Sequence, residues 1–200
     1  FRGGLKTDEL NTEECFRVID QIAEVNPNAF LILTGGEPLL RPDIYEIIRY
    51  AADKKFMVVL GTNGTMINRV NAEKIKAAGA HGVGISIDSM NPDKHNKFRG
   101  VDKAWELSMD AFDILNEVGG DFLVQMSVSD MNYKEIPEVV EFTEKIGAIA
   151  FNLYFLVCTG RGQGNTDISN VAYEEALKML YEQQMKYKGR LMINSKCAPQ

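Results

Sequence analysis

Residues 31–40 read LILTGGEPLL. An apolar run stops at two glycines, a glutamate and a proline, and apolar residues resume before Arg41-Pro42-Asp43. Residues 29–34 form a short, continuous apolar run, the pattern of a buried strand in a parallel sheet. Glycine lets a ligand approach the backbone closely and exposes its carbonyl and amide groups. Pro38 fixes its own φ near about −65° and removes one donor. With the Glu37 carboxylate added, the turn offers acceptors, which suits an ammonium group. A phosphate-binding loop would instead present amides at the start of a helix and carry a lysine. Here Leu39-Leu40 intervenes and no lysine follows. A plain strand-to-helix turn is the competing reading.

Working outward, helical and strand patterns alternate. The periodicity predicts helices over 12–25 with Thr12 as N-cap, over 42–53 with Pro42 in the first turn, and over 71–80, stopped by Gly79. Further helices are predicted over 103–118, 134–146 and 169–188, the last capped by Ser169. Strands are predicted in 55–64, 81–88, 122–128 and 148–157, besides the run at 29–34. Five strands and six helices without a linker-like boundary give an α/β fold with a parallel sheet. The chain opens on a helix, so a strand is expected to be missing before Phe1. Periodicity alone fits both an open doubly wound sheet and a closed or partial barrel.

The strand faces favour the barrel. Gln125 and Ser127 share one face of their strand, opposite Phe122, Val124, Met126 and Val128. Gly84, Ser86 and Asp88 alternate with Val83, Ile85 and Ile87. Asn152, Tyr154 and Cys158 alternate with Phe151, Leu153, Phe155 and Val157. In a barrel the apolar faces meet the helices and the polar faces line a cavity, whereas an ordinary barrel fills its interior with branched side chains. Isolated polar residues satisfied by local hydrogen bonds are the competing account.

Composition narrows the function classes. The 200 residues are 45% hydrophobic, enough for one sizeable core. A formal charge of −6 argues against a nucleic-acid partner. No apolar run reaches the ~20 residues of a membrane span. Three scattered cysteines, Cys15, Cys158 and Cys197, fit a reducing cytoplasm better than a disulfide scaffold. The first residue is Phe1, so the chain reads as an excerpt of a longer protein.

Unusual residues concentrate at strand ends: TGGEP (34–38), GTNG (61–64), SID (86–88) and CTGRG (158–162). In βα folds ligands bind at the carboxyl ends of the strands, so four such ends point to a shared site.

The stretch LTGGEPLLRPDI (33–44), followed by TNG (62–64), SID (86–88) and HNKFRG (95–100), resembles the radical S-adenosylmethionine enzymes, in the branch with a SPASM or twitch extension. That resemblance implies a partial (β/α)6 barrel lacking the first strand and cluster loop. Residues 1–190 would be the barrel core and residues 191–200 the start of an auxiliary-cluster extension. The backbone at Gly35, Gly36 and Glu37 would take the methionine amino group of S-adenosylmethionine, with Pro38 in the same cofactor-binding turn. Ser86 and Asp88 would lie near the ribose or substrate, and Arg99 would meet the methionine carboxylate. Asn63, Gln125 and Ser127 are cavity candidates. Against these stand Ser86 as a small core residue, Asp88 as a turn cap and Arg99 as a solvated surface charge.

The family's [4Fe-4S] cluster is held by CxxxCxxC, which this chain lacks, and its three cysteines are too widely spaced to replace it. The resemblance places that loop before Phe1, so the chain alone is not expected to cleave S-adenosylmethionine. Cys197 is a candidate auxiliary-cluster ligand, against a free thiol near a frayed end. Cys158 is a candidate cavity thiol, substrate contact or cluster ligand, against a buried structural cysteine. The TGRG turn is similar to that of radical enzymes of alternative haem biosynthesis, including the d-type haem route. It makes Tyr154 and Arg161 candidate substrate contacts. The implied activity is an oxidoreductase or lyase. Its 5′-deoxyadenosyl radical abstracts hydrogen from a tetrapyrrole carboxylate side chain, with ferredoxin or flavodoxin as electron donor. A peptide-modifying SPASM maturase, a cluster-less nucleoside-binding barrel and an ordinary βα-barrel lyase are the competing functions.

Overall fold

The structure, a computed structural model, describes residues 9–155 and 168–196. Its elements run α1 (Thr12–Val25), β1 (Phe30–Leu33), α2 (Ile44–Asp53), β2 (Met57–Thr62), α3 (Arg69–Ala77), β3 (Gly82–Ser86), α4 (Pro92–Arg99) and α5 (Ala104–Glu117). They continue with β4 (Phe122–Val128), α6 (Ile136–Lys145), β5 (Ala150–Phe155), α7 (Asn170–Lys186) and β6 (Met192–Lys196). Single 3₁₀ turns occupy Pro38–Leu40 and Tyr133–Glu135. The strands follow chain order, β1-β2-β3-β4-β5-β6. β1 pairs with β2, β4 with β5 and β5 with β6, all parallel. The α/β reading therefore holds. No helix of the described residues is long and apolar enough to cross a membrane.

Two elements escape the periodicity. α4 carries Phe98 as its only large apolar residue, so no apolar stripe announces it; Asn91 caps it by accepting from the Lys94 amide. β6 is a sixth strand where the sequence placed the start of an extension, and only its buried Ile193 carries a core signal.

Two boundaries also shift. Asn11, not Thr12, caps α1: its side chain accepts from the Glu14 amide at 3.0 Å, and Glu14 accepts from the Asn11 amide at 2.9 Å. Thr12 is already helical, and its hydroxyl donates to Asp43 at 2.6 Å. α2 starts at Ile44, leaving Pro42 outside it.

The chain divides into two compact units, Phe1–Gly84 with Met109–Asp121, and Ile85–Ser108 with Phe122–Gln200. In the first, Ile47, Ile48, Ala51, Phe56, Val58, Leu60, Phe112 and Leu115 are buried. Each large side chain so removed from water contributes about 1.5–3 kcal/mol of hydrophobic stabilisation. Gly79 ends the α3 segment at φ 91°, and a Cβ there would lie 2.9 Å from that of Ala52. Only glycine meets both demands. β1 departs from the buried-strand expectation. Phe30 is 54% and Ile32 42% exposed, because β1 ends the strand order and has a partner on one side only among the described residues.

In the second unit, β4 and β5 keep the predicted two-faced character. Phe122, Val124, Met126, Phe151 and Leu153 are buried, while Gln125, Ser127, Asn152 and Tyr154 are half-buried. Register aligns Gln125 with Asn152 and Asn194, and Ser127 with Tyr154 and Lys196. The polar faces of β4, β5 and β6 thus form two continuous rows. Asn194 donates across to Asn152 at 3.1 Å.

Candidate functional site

In the first unit the chemistry sits where β1 and β2 end. Thr34, Gly35 and Gly36 are exposed, whereas Glu37, Pro38 and Leu39 are buried. Among the described residues no hydrogen bond engages the peptide groups of Gly35 or Gly36. A Cβ added at Gly35 would meet nothing within 4 Å. The two exposed glycines therefore keep backbone carbonyls that no described residue engages, acceptors of the kind an ammonium donor needs.

Glu37 does not act as the sequence suggests. One oxygen accepts from the Leu39 amide at 3.1 Å and the Thr62 hydroxyl at 2.7 Å; the other accepts from the Asn63 amide at 2.9 Å. The carboxylate ties the end of β1 to the end of β2, and it is the backbone before it that faces outward. Asn63 is likewise engaged locally. Its side-chain oxygen accepts from the Thr65 amide at 2.9 Å and the Thr65 hydroxyl at 2.7 Å, an Asx turn. Pro38 opens the 3₁₀ turn, where its missing N–H leaves no donor unpaired.

In the second unit the residues gather around Asp88, which is 1% exposed. One carboxylate oxygen accepts from the Ser127 amide at 2.9 Å, and the other lies 2.5 Å from Arg99 Nε. The Asp88 amide donates to His95 Nδ1 at 3.2 Å. The Asp88 carbonyl accepts from Asn132 Nδ2 at 2.9 Å, and the same Asn132 nitrogen donates to the Ser127 carbonyl at 2.9 Å. His95 and Arg99 are four residues apart on α4 and so share a face, which brings both to Asp88. Because His95 Nδ1 accepts a backbone proton, the ring is neutral and the 3.8 Å approach of Asp88 is not an ion pair. Burial pushes the His95 pKa down to about 4, against the opposing pull of Asp88.

Asp88 is thus almost wholly buried and held on several sides by protein groups. Arg99 is not a solvated surface charge: 24% of its side chain is exposed and its Nε faces Asp88. Its two terminal nitrogens have no hydrogen-bond partner among the described residues. Ser86 is half-buried at the end of β3, and Gln125 reaches the Tyr154 hydroxyl only at 3.5 Å. Beside the network lies a cavity of about 350 Å³, lined by Asp88, Ser89, Lys94, Lys97, Phe98, Met131 and Asn132. Lys94 pairs with Glu135 at 2.7 Å across its rim.

Of the three cysteines only Cys15 is described. It is a half-buried free thiol whose pKa burial pushes up. No group of three or more His, Cys, Asp or Glu side chains among the described residues could hold a metal. Cys158, Arg161 and Cys197 lie outside the described residues. The sequence reading missed Thr62, His95, Asn132 and Asn194. His95 could have been found from its four-residue spacing to Arg99. Asn132, in a polar loop three residues from Ser129, carries no comparable signal.

A family model described as the Radical SAM superfamily matches residues 2–143. The AdoMet-dependent heme synthase of Methanosarcina barkeri is 39% identical over 191 residues, covering 96% of this chain and 54% of that protein. The pre-heme d1 synthase of Dinoroseobacter shibae is 31% identical over 157 residues, covering 78% of this chain and 38% of that protein. This chain thus spans about half, or less, of the length of these relatives. The structure of Streptococcus suis SuiB bound to S-adenosylmethionine superposes with a TM-score of 0.79 at 16% identity, covering 96% of this chain and 45% of that one. At that identity the match establishes the fold, a partial (β/α)6 barrel with parallel strands.

Proposed function

The chain belongs to the radical SAM superfamily, and from that premise we propose that the intact protein is a radical S-adenosylmethionine oxidoreductase or lyase acting on a carboxylate side chain of a tetrapyrrole. The cofactor reading is carried by the exposed backbone of Gly35 and Gly36, whose carbonyls no described residue engages and which can accept from an ammonium group. On this reading these two residues take the methionine amino group, and Glu37 and Pro38 fix the turn that presents them. Arg99 offers its two terminal nitrogens to the methionine carboxylate, the bidentate match for which a guanidinium is suited. Ser86, Gln125, Ser127 and Tyr154 are hydrogen-bonding groups for the ribose or substrate.

The described residues do not fit an iron–sulfur cluster, since Cys15 is the one described cysteine and no group of three or more His, Cys, Asp or Glu side chains among them could hold a metal. The cluster, any auxiliary cluster and the thiolates that hold them are therefore assigned to residues outside the described ones, with Cys158 and Cys197 as candidates for the latter. When bound, S-adenosylmethionine and its cluster supply a 5′-deoxyadenosyl radical that abstracts a substrate hydrogen. The residues described here bind and orient the cofactor. The tetrapyrrole assignment rests on the two synthases, 39% and 31% identical, whose names specify heme and pre-heme d1. The SuiB likeness supports the fold and adds nothing for a peptide substrate. A cytoplasmic location and a ferredoxin or flavodoxin donor complete the proposal.

The test is anaerobic reconstitution of the intact protein with iron and sulfide, followed by chromatography for 5′-deoxyadenosine and for tetrapyrrole products. Formation of 5′-deoxyadenosine that rises with a carboxylate-bearing iron tetrapyrrole is the expected result. Stimulation by peptides alone would remove the tetrapyrrole assignment.

A further inference from the structure

The Asp88 network carries an inference beyond cofactor binding as such. One oxygen of this carboxylate accepts from the Ser127 amide; the other forms an ion pair with Arg99 Nε at 2.5 Å without hydrogen-bond alignment, so Asp88 meets the guanidinium at one point. Its own backbone is held at both ends, by His95 at the amide and Asn132 at the carbonyl. Asn132 is fixed in turn: its side-chain oxygen accepts from the Ser129 amide at 2.8 Å, and its nitrogen also bonds the Ser127 carbonyl. Asp88 and His95 are each 1% exposed and Asn132 is 5% exposed, so the assembly is shielded from water.

A guanidinium has five N–H donors in a rigid plane. The ion pair at Nε anchors the group at one corner and leaves the edge formed by the two terminal nitrogens unused. We propose that Asp88 is the positioning residue for Arg99, orienting that free edge toward the methionine carboxylate of S-adenosylmethionine. His95 and Asn132 hold the Asp88 peptide in register for the task. The inference rests on the assignment of Arg99 to the cofactor carboxylate. A neutral His95 serves the arrangement, because a second cation beside Arg99 would compete for Asp88.

Equilibrium dialysis of the intact apoprotein tests this with two ligands, S-adenosylmethionine and decarboxylated S-adenosylmethionine, which keeps the sulfonium and adenosine but lacks the carboxylate. Arg99→Ala should weaken S-adenosylmethionine about tenfold or more and leave the decarboxylated ligand unchanged, as loss of a charge-assisted bidentate contact predicts. Wild-type affinity in that variant would remove the Arg99 assignment itself. With Arg99→Ala behaving as expected, Asp88→Asn should weaken S-adenosylmethionine about three- to tenfold, spare the decarboxylated ligand, and add nothing in the Arg99→Ala background. Unchanged S-adenosylmethionine binding in Asp88→Asn, or equal weakening of both ligands, would overturn the positioning role while leaving Arg99 in place. Should Asp88→Asn not fold, Arg99→Lys decides. A lysine keeps the charge but cannot be gripped through one nitrogen while presenting two others in a fixed plane. Its affinity should fall close to that of Arg99→Ala, and wild-type affinity would refute the proposal.

Discussion

Glu37 accepts the Thr62 hydroxyl at 2.7 Å, and through that bond the end of β1 is fastened to the end of β2. The acidic residue of the glycine-rich turn is therefore a structural tie, and the two glycines before it are the exposed part of the turn. Glu37→Leu would leave the Leu39 amide, the Thr62 hydroxyl and the Asn63 amide without their acceptor. The expected cost is about 3 kcal/mol or more, against about 1 kcal/mol for Thr62→Val, read from urea unfolding midpoints. Equal, negligible effects in both variants would contradict the tie.

Gly35 separates folding from binding. Its backbone lies outside the left-handed region, and an added Cβ meets nothing within 4 Å. Gly35→Ala should change stability by less than about 0.5 kcal/mol, as expected for a surface site without packing. Affinity for S-adenosylmethionine should nonetheless fall, because the methyl group enters the space before the open carbonyls. Calorimetric titration of the variant, alongside its melting temperature, checks both halves.

His95 sets a pH dependence. Burial holds its folded pKa near 4, below the ordinary value of 6.5. The unfolded chain therefore binds the extra proton first as pH falls, and stability drops between pH 6.5 and 4. This contribution is complete above pH 6.5 and is lost at lower pH, amounting to about 3 kcal/mol at most. His95→Gln should flatten that part of the profile, measured by denaturant unfolding from pH 7 to 4. A slope unchanged in the variant would assign the titration elsewhere.

Gly79 carries two constraints at once, a φ of 91° and a 2.9 Å approach to Ala52. Gly79→Ala should destabilise by about 1–2 kcal/mol from the left-handed backbone alone, with the clash added to it. Gly147, at φ 79° with nothing within 4 Å of an added Cβ, is the control. Gly147→Ala bears the backbone cost without the clash, so the difference in unfolding free energy between the two variants reports the contact.

The glycine-rich turn, the alternating helices and the two-faced β4 and β5 were legible because each is written in adjacent or evenly spaced residues. What escaped depends on neighbours distant in sequence. The apolar run at Phe30–Leu33 identifies a strand correctly, yet its exposure is decided by how many strands flank it. Glu37 reads as a ligand carboxylate until Thr62 and Asn63, some 25 residues on, are seen to engage it. Strand alternation marked Asp88 as a cavity residue, and it does line one, but it did not show that α4 brings Arg99 and His95 onto it, because α4 itself has almost no apolar signature. With Ile193 as its one buried residue, β6 carried too little apolar signal to reveal a strand whose Asn194 extends the polar row through Asn152.

The tie through Glu37 bears on protein engineering. The four residues Gly35 to Pro38 are not a portable cassette, because the carboxylate needs a hydroxyl and an amide delivered by the following strand. Transplanting the turn into another βα scaffold would require a Thr-Asn pair at the next strand end as well. Without it the graft would keep the glycines while losing the geometry that makes them useful.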